Sequence, residues 1–156
     1  MNQNDEQYLI LEQYRIYSDA KEKFIDRQFA TNRFYLILNL IILITAYILG
    51  TLTPQFEPVI ILCIVGFATS VMWLMNIDSY QLLIKVKYAK VLEYLETKLP
   101  EQPYHKEFVD YADMKKKKNV IVFGDIQKSL TVLVMGVYAM IATINIFHMI
   151  KLQMLG

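Results

Sequence analysis

Three apolar runs, Phe34–Leu52, Val59–Ile77 and Leu130–Ile150, contain no Lys, Arg, Asp or Glu. Each is close to the ~20 residues that an α-helix needs to cross the hydrocarbon core of a bilayer at ~1.5 Å per residue. Water-soluble domains seldom hold three such runs in a chain of 156 residues. The bilayer is therefore the solvent for a large part of this chain, and the expected fold is an all-α integral membrane protein with three transmembrane helices.

Hydrophobic residues make up 55% of the chain and charged ones 20%, and the charges are segregated outside the runs. The net charge of +1 gives no overall signature of polyanion binding. Cys63 is the single cysteine, which excludes an intramolecular disulfide and a cysteine-based zinc site. His105 precedes the third run and His148 lies near its far end, so the two are not expected to share a metal. The first run starts too late and is too long for a cleaved signal peptide, and the N-terminus is expected to stay on the mature protein.

The cations fix an orientation. Residues 1–33 hold five Lys and Arg, the link Thr53–Pro58 none, residues 78–128 ten, and the tail only Lys151. The positive-inside bias predicts cytoplasmic residues 1–33 and 78–128, with the C-terminus outside. The expected organisation is a cytoplasmic amphipathic helix at 1–33, membrane spans at 34–52, 58–77 and 129–150, a cytoplasmic helical region with a basic loop at 78–128, and an external tail at 151–156.

Asn4 and Gln7 have the spacing of a capping box, and nothing from there to Gly50 breaks a helix. Tyr14, Tyr17 and Phe24, with Leu11 and Ala20, predict an apolar stripe along its first half. Gly50, Thr51, Thr53, Pro54 and Pro58 predict an external turn. Beyond the second run, Ile84, Tyr88, Val91, Leu95 and Leu99 continue at helical spacing until Pro100, so the first two spans are expected to extend into a cytoplasmic helical hairpin. Residues 104–114 read as a short helix, and Gly124-Asp125 as an N-cap for the third membrane helix.

No glycine-rich phosphate loop, nucleophile elbow or metal-ligand spacing is present, and no enzyme activity, cofactor or metal is expected. Glu93 and Glu96 lie one helical turn apart, but Lys90 and Lys98 beside them make this a solvated face. Inside the spans, Asn39, Asn76, Thr143 and Asn145 are the polar marks, and such groups face other helices or water. Gly66 with Ser70, and Gly136 with Ala139 and Thr143, form small-residue faces that let helices approach closely. Asn39, Gly66, Ser70, Asn76, Gly136, Thr143 and Asn145 are thus the candidates for pore lining or interhelix packing. Three spans cannot enclose a water-filled pore, so conduction requires a homo-oligomer.

The cytoplasmic cations are the other candidate site. Arg27 and Arg33 on the first helix, Lys85, Lys87 and Lys90 on the second, and Lys115, Lys116, Lys117 and Lys118 on the loop are the candidate ligand-binding residues. Contact with lipid headgroups explains much of this pattern. A nucleotide or short nucleic acid would need the same cations to converge from several helices or copies, with tyrosines for stacking. Tyr80, Tyr88 and Tyr94 are placed for that, and equally for packing.

The string Asn32-Arg33-Phe34-Tyr35-Leu36-Ile37-Leu38-Asn39, after Asp26-Arg27, resembles the start of the first span in small bacterial membrane proteins of the SLATT type and the RipA-like group. A second string carries the same resemblance: Trp73, Ser79-Tyr80-Gln81-Leu82, then Lys87-Tyr88-Ala89-Lys90-Val91-Leu92-Glu93-Tyr94-Leu95-Glu96 and Leu99-Pro100. It covers roughly residues 13–148. Many relatives are expected to carry a Pro shortly after Ile126-Gln127-Lys128, and this chain has none there. The resemblance implies a homo-oligomer of the bacterial inner membrane that acts as an antiphage effector, paired with a nucleotidyltransferase-like enzyme. The Hailong-type channel effector, which responds to short DNA oligomers, is a functional analogue. The expected function is a nucleotide- or oligonucleotide-gated channel, with a tetramer as the expected assembly. The alternative is a non-conducting membrane scaffold whose cytoplasmic helices recruit a protein partner.

Overall fold

No Pro and no Gly precede Gly50, and the computed structural model forms a single α-helix over this stretch, α1 (Gln3–Leu52). Among the described residues three further helices follow: α2 (Glu57–Leu83), α3 (Lys90–Glu96) and α4 (Phe123–Leu155). The structure describes residues 3–53, 56–85, 90–99, 105–106 and 123–155, and no strand occurs among them. Stretches of α1, α2 and α4 are long and apolar enough to cross a membrane, so the protein is an all-helical membrane protein with three such helices among the described residues.

The helix ends have local causes. Gly50 does not stop α1, which closes two residues later, where the Thr53 backbone N–H and hydroxyl both donate to the Leu49 carbonyl, at 3.0 and 2.7 Å. Pro58 sits in the first turn of α2, where its missing N–H costs nothing. Asn4 and Gln7 lie inside α1 rather than at its cap. Likewise Gly124-Asp125 falls within the first turn of α4, where Asp125 is favoured by the positive end of the helix dipole instead of acting as N-cap.

The chain divides into two units. One comprises Ala30–Ile77 and Gly124–Gly156 and holds the three apolar spans. Its core is Ile42 and Ala46 of α1, Val59 and Cys63 of α2, and Val134 and Tyr138 of α4. The ring of Phe56 stacks on His148 at 6.3 Å, joining the start of α2 to the far end of α4.

The other unit comprises Met1–Phe29 and Asp78–Phe123. Here Phe24 packs on Tyr80 at 5.1 Å between ring centres. Tyr14 and Phe24 are half-buried as their spacing predicts, whereas Leu11 and Tyr17 are exposed. The half-buried face runs instead through Ile10, Tyr14, Ser18, Lys21 and Ile25, and its polar members hide it from a reading by hydrophobicity. Past Leu83 the chain takes a wider, π-type turn at Ile84 and Lys85. In α3, Leu92 and Glu96 are buried alongside the expected Leu95, with Val91 and Leu99 half-buried, so the solvated face expected of Glu93 and Glu96 holds for Glu93 alone. Glu96 is held by two donors, the Tyr14 hydroxyl at 3.0 Å and the His105 backbone N–H at 2.9 Å. The last turn tightens through Lys98 N–H to Leu95 O and Leu99 N–H to Glu96 O, immediately before Pro100.

Candidate functional site

A polar seam runs through the apolar unit. Asn32 and Asn39 are seven residues apart, two turns along one face of α1, and both are buried. On α2, Ser70 and Trp73 are three apart and meet them. The Trp73 indole N–H donates to Asn32 Oδ1 at 3.0 Å. The Ser70 hydroxyl has two acceptors in reach, Asn39 Oδ1 at 2.9 Å and its own helix's Gly66 carbonyl at 2.8 Å. The Asn39 amide N–H donates to the Tyr35 carbonyl at 2.9 Å, and the Tyr35 ring stacks on Trp73. From α4, the Tyr138 hydroxyl donates to the Asn39 carbonyl at 2.9 Å. Asn39 is therefore the junction at which all three helices meet.

Gly66 makes the junction possible. A Cβ built there would overlap the Tyr138 ring and lie 2.7 Å from its hydroxyl oxygen. Only a residue without a side chain lets that ring cross α2 to reach α1. In a bilayer, interhelical hydrogen bonds of this kind contribute about 0.6–2 kcal/mol each.

The candidate residues of the spans divide by environment. Asn39, Gly66 and Ser70 are buried against one another inside the protomer, and Asn76 is half-buried. Gly136 and Thr143 are exposed, and Asn145 is half-buried. Gly136, Ala139 and Thr143 thus form an outward face on α4, and nothing in the protomer comes within 4 Å of a Cβ at Gly136. The Thr143 hydroxyl donates to Ala139 O at 2.8 Å and the Asn145 amide to Ile141 O at 2.8 Å. Asn145 also lines a groove of about 300 Å³ with Tyr47, Gly50 and Thr51.

Among the candidate cations, Arg27, Lys85 and Lys90 belong to the second unit and Arg33 to the apolar one, and all four are exposed. Lys87 and Lys115 to Lys118 lie outside the described residues. Asn32 and Tyr138, two anchors of the seam, are absent from the candidates chosen by sequence. The repeat of Asn at 32 and 39 was the available signal for the first, and the facing small residue Gly66 for the second.

Only 17%, 28% and 17% of the most apolar windows of the three spans are buried inside the protomer. Large side chains such as Phe34, Ile61, Leu133 and Phe147 stand outward. Lipid or further copies of the chain must cover them. No curated protein and no solved structure matches the chain. A family of membrane proteins does: its model, described as the octameric membrane protein family (8xMP), matches residues 11–147. With most of its length covered by that match and its three spans in place, the chain belongs to the octameric membrane protein family.

Proposed function

We propose that the protein is an oligomeric membrane effector that forms a nucleotide- or oligonucleotide-gated ion channel in the inner membrane of a bacterium, as part of an antiphage system. The observation that carries this reading is the outward small-residue face of α4 in a chain whose spans bury so little of themselves. Backbones approach closely along such faces, so copies can pack through Gly136, Ala139 and Thr143. Eight copies replace the expected tetramer, following the number in the family's name. A ring of that size encloses a path that three spans alone cannot.

The resemblance to SLATT-type and RipA-like proteins supports the antiphage role and the N-in, C-out orientation expected from the cations. Arg27, Arg33, Lys85, Lys87, Lys90 and Lys115 to Lys118 are the residues for an anionic ligand. Ligand shifts the open fraction by binding one state better than the other. The chain carries no catalytic role in this reading.

Ion flux from liposomes containing the purified full chain tests it, with and without short DNA oligomers or cyclic nucleotides. Flux that changes with one of these ligands is expected. Replacing Lys115 to Lys118 by alanine should weaken binding and flatten its dependence on salt, because fewer counterions are released. Folded, oligomeric protein that passes no ions under any ligand overturns the channel and leaves the scaffold that recruits a protein partner.

A further inference from the structure

Two lines of exposed side chains run along the apolar unit with one spacing. On α1, Phe34, Ile37, Ile41, Ile44 and Ile48 follow at intervals of three, four, three and four, and all are exposed. Four of the five isoleucines of the first span fall on this line, and the fifth, Ile42, is buried in the core. On α4, Val132, Gly136, Ala139, Thr143 and Ile146 follow at four, three, four and three, and these are exposed too. This heptad spacing is the one by which two helices wind together, side chains of one filling gaps on the other. The lines are complementary in size, branched on α1 and small at the centre of α4. Both turn away from the core, and nothing in the protomer comes within 4 Å of a Cβ at Gly136, so neither line covers the other.

A groove of about 150 Å³ opens beside the α4 line. Cys63, Ile64 and Phe67 of α2 form one wall, and Tyr138, Ala139 and Ala142 of α4 the other. An apolar space of ~150 Å³ accepts a molecule the size of benzene, and hence a branched aliphatic side chain. Depth selects which one. Ser70 marks the level of Asn39 on α2 through their hydrogen bond. The α2 wall lies about 5–10 Å from that level toward the Gly50 end of α1, and Ile44 about 8 Å from Asn39 in the same direction. Tyr138, bonded to the Asn39 carbonyl, places the α4 wall beside this stretch of α1. Copies that share one orientation in a bilayer are related by rotation about its normal, which keeps every residue at its own depth. A closed ring of that kind joins two different faces of the chain. We propose that the α1 line of one copy packs along the α4 line of the next, with Ile44 seated in the neighbour's groove between α2 and α4. The occupant is a second copy because the chain belongs to a family described as octameric. This pairing rests on the ring of copies proposed above and names the two faces that close it.

Oxidative cross-linking of the full chain in lipid bilayers tests the contact. The double variant Ile44→Cys/Ala139→Cys, in a Cys63→Ala background, should give a ladder of linked species beyond the dimer, because each copy carries both halves of the contact. Ile44→Cys alone and Ala139→Cys alone should give no linked species. Ile37→Cys/Val132→Cys, seven residues back on both helices, is a second pair that should give the same ladder. Dimers from a single variant would set like faces together and overturn the pairing. An assembly of eight in native mass spectrometry that gives no ladder with either pair would overturn the pairing alone, leaving lipid or another face of the chain in the groove. A chain that is monomeric in the bilayer would overturn the ring as well.

Discussion

Gly66 and Gly136 occupy spans of similar composition and meet opposite surroundings: the Tyr138 ring at one, open space at the other. Gly66→Ala forces that ring away from Asn39 and should destabilise the protomer by ~1–3 kcal/mol, the usual cost of overpacking. Gly136→Ala should leave protomer stability unchanged. Trp73 is the only tryptophan and lies on the seam, so its fluorescence during unfolding in detergent reads both variants. Equal stability of the two would contradict the close approach. In the other unit, Tyr14→Phe removes one of the two donors given above for Glu96, a residue 1% exposed. A loss of ~1–2 kcal/mol is expected in denaturant titrations. The sequence shows these glycines and asparagines, but each partner lies many residues away. Spacing within one helix can suggest that Asn32 and Asn39 share a face; it cannot say that Trp73 and Ser70 stand opposite.

At the scale of the element, the spans were legible because lack of charge over ~20 residues has few other uses. Their inward faces were not. In water, exposed positions turn polar and periodicity reveals the buried side. In lipid, outward residues such as Ile41, Ile64 and Leu133 are as apolar as inward Ile42, Val59 and Val134, and the contrast disappears. The α3 face was legible in part: Ile84, Val91, Leu95 and Leu99 are half-buried or buried as their spacing predicts, but Leu92 and Glu96 beside them are buried as well. The outward face of α4 has its own consequence. Gly136→Leu combined with Ala139→Leu should dissociate the assembly into smaller species while leaving thermal unfolding of the protomer within a few degrees. Size-exclusion chromatography with light scattering checks the first and differential scanning fluorimetry the second. An intact assembly with both leucines in place would remove this face from the subunit contact.

At the scale of the whole molecule, the protomer is incomplete. A core drawn from α1, α2 and α4 holds the spans together, yet it covers 28% or less of each apolar window. Lipid satisfies the remaining apolar surface but gives no reason for an exposed Gly136-Ala139-Thr143 face, which a neighbouring backbone does. Membership of the octameric membrane protein family points the same way. The chain is accordingly expected to assemble into an oligomer of eight copies. Native mass spectrometry of the full chain released from lipid nanodiscs tests it most directly. One dominant species of eight subunits that persists on dilution is expected. A folded protein that stays monomeric across the accessible concentration range would contradict it.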